Sequence, residues 1–304
     1  MDLKLNFWSD WIALLRPELA RMGYTVPANT DEREVALLYF NALFRRLPKK
    51  PRKIWRSPEL QCPAKLQNGL KWLENKVTSG GDLNPHLSRK TPKLDYDDAL
   101  LNDWGIFHFH LGTRYITKGK QTGLVEGTDP VLLARVTDTE FYAVCTGNHQ
   151  NGWADLNWLE ILHKNWPKSI EQFKQPQAKA LSQVVDRATV EALRAGQGKK
   201  SGKINAPIRL QDGTIYSQFG GGYTSDGRSL VVVMTVNQRV AELRHLEKFV
   251  RNNTAMFLDD LKKLGYCESK PLKGDFVVND NGWYVFFPDW DYAVKLRATT
   301  TRTL

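Results

Sequence analysis

The chain has 304 residues, of which 41% are hydrophobic and 25% charged, a balance that belongs to a globular protein and excludes a disordered one. No apolar run approaches the ~20 residues a membrane helix needs, and the opening MDLKLNFWSDW carries acids where a secretory signal has an unbroken apolar core. The net charge of +10 attracts phosphates at long range, which suits an RNA or DNA partner, while simple colloidal solubility accounts for it equally well. Cys62, Cys145 and Cys267 show no metal-binding spacing, so free thiols in a reduced, cytoplasmic protein with no membrane partner are expected.

Residues 1–47 read as two helices. Phe7, Trp8, Trp11, Leu14 and Leu15 keep helical spacing in the first, with Pro17 allowing a kink. Val35, Leu38, Tyr39, Ala42 and Leu43 form the apolar stripe of the second, which Thr30 or Asp31 can cap. The proline-broken, cationic run PKKPRK at 48–53 reads as a linker. A third helix is expected from about Ala64 to Val77, stopped by Gly80-Gly81, and a short one from Tyr96 to Trp104.

Three strand-like runs follow. Phe107, Phe109 and Leu111 alternate with His108 and His110, and a two-residue period puts both imidazoles on one face. VLLARV and EFYAVCTG are joined by Thr137-Asp138-Thr139, the turn of an antiparallel hairpin. His149 leaves the second run in a loop that leads to Asp155, the cap of a helix running through Trp166, in which His163 reads as structural. Histidines delivered by neighbouring strands can do acid–base chemistry at neutral pH.

From about 170 the character changes. A polar helical region ends in the glycine- and lysine-rich AGQGKKSGK, and Gln211-Asp212-Gly213 marks a hairpin. Gly220-Gly221-Gly222 lacks the phosphate-loop pattern and reads as a turn. A long amphipathic helix is expected over 237–264, with His245 exposed on it, followed by two or three strands around Asn281-Gly282. This C-terminal α+β region carries no recognisable motif. Substrate binding, inhibition of the rest of the chain and partner docking all remain open for it.

The stretch Asp129-Pro-Val-Leu-Leu-Ala-Arg135-Val-Thr-Asp-Thr, the strand EFYAVCTG, Gly147-Asn148-His149 and Trp153 together resemble the RelE/ParE superfamily of small ribonuclease toxins, in particular its YafQ-type branch. Those toxins have an aspartate opening a strand, a Thr-Asp turn, a returning strand, glycine-x-histidine and then an aromatic residue. The resemblance covers about a fifth of the chain. It implies an α+β protein with a RelE-like antiparallel sheet preceded by helices: an N-terminal helical segment at 1–59, a ribonuclease module at 60–168 and the C-terminal domain at 169–304.

Carried over by residue, the resemblance makes His110, Asp129 and His149 the catalytic group. The match to His110 is the looser one, because TRYITKGKQTGLVEGT is an insertion between it and Asp129. For a further upstream family histidine the chain offers His86 or no match. RNA cleavage without a metal needs a base for the 2′-OH, an acid for the leaving 5′-oxygen and donors for the charged transition state. His110 and His149 supply the first two, with Asp129 orienting one of them. Arg135, if it shares the histidine face, holds the scissile phosphate, and Trp153 stacks a base. His108, Arg114, Lys118 and Lys120 extend the RNA contacts, and neither a metal nor another cofactor is required.

The implied function is a toxin or phage-defence effector that cleaves RNA, with the ribosome as a further partner where many family members act and a cognate antitoxin or inhibitor protein holding it in check. Two other readings stand beside it. His108, His110, His149 and Asp129 can offer a divalent ion its ligands in a hydrolase. Alternatively, the scaffold binds nucleic acid or protein without catalysis. Taken singly, Trp153 fits core packing at least as well as base stacking, and Arg135 fits an ordinary surface salt bridge equally well.

Overall fold

The computed structural model of the protein describes residues 2–148, 155–175, 207–218 and 221–297. In chain order its elements are β1 (Leu3–Lys4), α1 (Phe7–Arg21), α2 (Glu32–Phe44), β2 (Lys53–Arg56), α3 (Gln67–Ser79), α4 (Ala99–Trp104), β3 (Ile106–Phe109), β4 (Val131–Val136), β5 (Glu140–Gly147) and α5 (Asn157–Asn165). Then come β6 (Ile208–Arg209), β7 (Ile215–Tyr216), α6 (Leu230–Asn252), α7 (Ala255–Lys263), β8 (Leu272–Lys273), β9 (Asp275–Asn279), β10 (Gly282–Phe287) and β11 (Tyr292–Arg297). The class is α+β, as expected.

These elements form two compact units, Met1–Phe40 with Met234–Leu304 and Asn41–Val233. The grouping differs from the segments 1–59, 60–168 and 169–304, because the pairings that define it are non-local. In the first unit β1 runs parallel to β8, with Leu3 opposite Leu272, so the two ends of the chain share one unit. The Phe7 ring lies 5.3 Å from that of Phe276, whose backbone N–H donates to the Asp10 carboxylate at 2.8 Å. The Arg239 guanidinium lies over Trp283 at 4.7 Å and Trp11 at 5.7 Å. Strands β9, β10 and β11 form an antiparallel meander turning at Asn281-Gly282.

The single helix expected over 237–264 is two helices, α6 and α7. The break falls at Asn253-Thr254, where the Asn253 side-chain amide donates to the Phe249 carbonyl at 2.8 Å. Short polar side chains that bond the nearby backbone compete with the helical ladder, and here they win.

In the second unit the four-stranded sheet has the order β2-β5-β4-β3. β4 and β5 make the expected hairpin, with Glu140 N–H donating to the Thr137 hydroxyl at 3.0 Å across the turn. β3 is antiparallel to β4, but β2 is parallel to β5, so the sheet is mixed rather than antiparallel throughout. The run read as a linker at 48–53 is therefore partly strand. Buried Arg52 anchors it by donating to the carbonyls of Thr137, Pro48 and Lys50.

Both faces of this sheet are covered, which is why its central strands read as near-continuous apolar runs. Phe107, Phe109, Leu132, Ala134 and Phe141 pack with Leu70, Leu73 and Val77 of α3. Ile106, Val131, Leu133 and Val144 pack with Trp104, with Trp158, Leu159 and Leu162 of α5, and with Ile208 and Tyr216 of the β6–β7 hairpin. The face of the sheet on which His108 and His110 stand is thus packed against α5 and the β6–β7 hairpin.

Candidate functional site

Strand register decides which of the sequence-derived residues meet. Phe109 lies opposite Leu132, and Val131 opposite Gly147. The residue after β3, the residues before β4 and the residue after β5 are therefore at one end of the sheet: His110, Thr128-Asp129 and Asn148.

The insertion does not disturb this arrangement. Residues 113–127 fold back on themselves, with Ile116 N–H donating to Leu124 O at 2.7 Å and Glu126 N–H to Arg114 O at 3.0 Å. The chain returns so that Thr128 N–H donates to His110 Nδ1 at 2.9 Å, while the Thr128 hydroxyl accepts from Leu111 N–H at 3.0 Å. The Thr128 carbonyl oxygen lies 3.3 Å from the same ring nitrogen. The shorter contact makes Nδ1 an acceptor and puts the proton of a neutral ring on Nε2. Thr128 thus offers Nδ1 an N–H when the imidazole is neutral and a carbonyl when it is protonated. His110 is 2% exposed, and Asp129, one residue beyond Thr128, is exposed.

His86 holds His110 from behind. Its carbonyl accepts from His110 N–H at 2.7 Å, and its Nδ1 donates to His110 O at 2.9 Å. That fixes Nε2 as the lone-pair nitrogen, 3.2 Å from Lys76 Nζ. Lys76 in turn donates to the Tyr115 hydroxyl at 2.8 Å and sits over the Trp72 ring at 4.1 Å. Burial, reinforced by the Lys76 charge, pushes the His86 pKa down to about 4. His86 is a neutral support, not a proton carrier at neutral pH.

His108 does share a face with His110, their rings 6.3 Å apart and nearly perpendicular. Its Nδ1 lies 3.3 Å from Asp98 Oδ2. The other carboxylate oxygen of Asp98 caps α4 by accepting from Leu101 N–H at 3.2 Å. Sequence reasoning missed Asp98. An aspartate before ALLNDW signals a helix cap, but its approach to His108 arises from the fold alone.

Arg135 is opposite Ile106, so by register it lies on the histidine face. Its guanidinium is committed elsewhere, with Nε donating to Ser169 O and Nη1 to Trp104 O at 2.9 Å. Four residues along β4 separate it from Val131, roughly 13 Å at the usual strand rise, so it is not gathered with His110. Arg114 is paired with Glu126 at 3.3 Å, and Lys118 and Lys120 are exposed. His163 bonds through both ring nitrogens, to the Tyr216 hydroxyl and to Asp212 Oδ2, each at 2.9 Å.

His149 and Trp153 lie outside the described residues. A cavity of about 410 Å³ is lined by Cys145, Thr146, Gly147 and Asn148 on one side of that segment and by Asp155 and Asn157 on the other. Burial, with the nearby Asp155 carboxylate, raises the Cys145 thiol to about 12, so it stays protonated and is no nucleophile. Among the described residues no three His, Cys, Asp or Glu side chains are placed to hold a metal ion. No helix among them is long and apolar enough to cross a membrane. No protein-family model, no curated protein and no solved structure matches this chain.

Proposed function

We propose that the protein is a metal-independent endoribonuclease, a toxin or defence effector whose catalytic group is His110, His149 and Asp129. The observation that carries this reading is the strand register, which gathers His110, Asp129 and the residue preceding His149 at one end of the sheet despite the long insertion. The 2′-hydroxyl oxygen attacks phosphorus and the bond to the 5′-oxygen breaks. One histidine takes the 2′-OH proton and the other returns a proton to the leaving oxygen. Thr128, with an N–H and a carbonyl beside His110 Nδ1, supports that ring in both protonation states. His108, steadied by Asp98, together with Arg114, Lys118, Lys120 and Trp153, completes the RNA contacts; Arg135, bound to the Ser169 and Trp104 carbonyls at the other end of β4, takes no part in them. A protein inhibitor keeps such an activity in check, and the ribosome is the natural place to find its substrate.

The full-length protein incubated with single-stranded RNA in EDTA should still cleave, leaving 2′,3′-cyclic or 3′-phosphate ends. Activity lost in EDTA and restored by zinc or manganese would instead support the hydrolase reading with His108, His110 and His149 as ligands. A second reading is favoured by the burial of His110 and the commitment of the Arg135 guanidinium to backbone carbonyls: a scaffold that binds nucleic acid or protein without cutting. RNA binding without cleavage, with or without ribosomes, would select it.

Charge provides an independent check. RNA affinity should fall with salt at a log–log slope of about −0.7 for each phosphate neutralised. Lys118 and Lys120 are exposed on the insertion, so replacing both by Gln should flatten the slope and leave the melting curve unchanged. An unaltered slope would remove the insertion from the RNA path.

A further inference from the structure

A second cavity, of about 330 Å³, lies where β3 starts and β4 ends, remote from His110. Its wall includes Arg135, Arg52, Asn102, Phe107, Phe173 and Asp138. Arg135 is 8% exposed and Arg52 4%. Every donor nitrogen of Arg52 is taken by a backbone carbonyl. Arg135 differs: Nε and Nη1 donate to Ser169 O and Trp104 O, whereas Nη2 has no hydrogen-bond partner among the described residues. No carboxylate among them lies within ion-pair distance of it. The one acid on the wall, Asp138, is already paired with Lys50 at 2.7 Å.

A guanidinium removed from water without a counter-charge is costly, and it lowers its own proton affinity in response. Burial takes the pKa of Arg135 down to about 10. The cation also lies 5.6 Å from the centre of the Phe173 ring, so charge and aromatic surface share the cavity. A volume near 300 Å³ with apolar walls and a few polar groups is the make-up of a small-molecule site.

We propose that this cavity binds a small organic anion, whose charged oxygens pair with the Arg135 guanidinium and whose apolar body packs against Phe107 and Phe173. A phosphate monoester and a carboxylate present the same oxygens to that fork. The site is separate from the cleavage site proposed above and does not depend on it.

Calorimetric titration and thermal melting of the full chain test this with phenyl phosphate, benzoate, inorganic phosphate and uncharged benzamide. Phenyl phosphate or benzoate should bind one-to-one and raise Tm, and the stronger of the two identifies the head group. Benzamide and inorganic phosphate, each lacking one half of the recognised chemistry, should bind at least about tenfold more weakly. Arg135→Gln should lower affinity for the best ligand about tenfold or more, and Arg135→Lys by a smaller factor. Lys118→Gln with Lys120→Gln should leave it unchanged. No saturable binding by the parent protein, equal binding of benzamide, or undiminished affinity in a folded Arg135 variant would overturn the assignment. If neither Arg135 variant folds, the parent's preference for anion over amide decides it.

Discussion

Replacing His149 by Ala should lower RNA cleavage by about 10²–10⁴-fold, the range that one general acid or base contributes. By its sequence context His149 stands in a loop, where an imidazole supports few packing contacts, so the variant should melt cooperatively near the parent temperature. His110→Gln should cost a similar factor, but with some stability, because a 2%-exposed ring that accepts from Thr128 N–H is also a packing element. The two effects separate in the pH–rate profile: loss of one histidine should remove one limb of a bell-shaped curve, which a merely loosened fold would not do. His245, exposed on α6, should be replaceable by Ala without effect. His163→Ala should spare cleavage yet lower Tm, since it releases the bonds to Tyr216 and Asp212 that tie the β6–β7 hairpin to α5. Full activity of a soluble His149→Ala variant, assayed beside the parent, would rule out the proposed chemistry.

Mild acid should destabilise this protein through His86. At pH 7 His86 is neutral in both folded and unfolded chains. Below about pH 6.5 the unfolded chain binds a proton that the native ring, held near 4 by burial and the Lys76 charge, refuses. The stability contributed by neutral His86 is thus fully present above pH 6.5 and is lost as pH falls towards 4. The loss by pH 4.5 should be roughly 2–3 kcal/mol. Urea titrations at intervals from pH 7 to 4.5 measure it as a fall in midpoint. His86→Asn should be less stable at pH 7, having lost the contact with Lys76, but its midpoint should vary much less across the same window. Equal pH dependence in parent and variant would place the sensitivity elsewhere. Because His86 holds the His110 backbone twice, accepting from its N–H through the His86 carbonyl and donating to its carbonyl from the ring Nδ1, cleavage should fail over the same pH range in which His86 protonates.

The features that could be read without coordinates are those written in a few adjacent residues. Alternation along Phe107–Leu111 put His108 and His110 on one face, and their rings do lie together. Thr137-Asp138-Thr139 marked the hairpin turn, Asp31 the start of α2, and Gly80 the end of α3, where it takes a left-handed conformation. The α+β class follows from such local signals, since period and turn chemistry act within one or two turns of chain. What escaped detection depends on segments far apart in sequence. The lysine-rich run at 48–53 looks like a connector until Arg52 reaches Thr137 and β2 pairs with β5. Arg135 looks like a partner for His110 at the scissile phosphate until the register sets it at the other end of β4, tied to the Trp104 and Ser169 carbonyls. Asp98 looks only like a helix cap until the fold brings it to His108, and nothing near His110 foretells that α3 will cover one face of the sheet and α5 with the β6–β7 hairpin the other. The sequence by itself determined most of the local elements and which titratable side chains stand on each of them. The tertiary structure decided which of those groups face water, which meet one another and which are bound to backbone, because burial and hydrogen-bond partnership are properties of non-local contacts that no local pattern records.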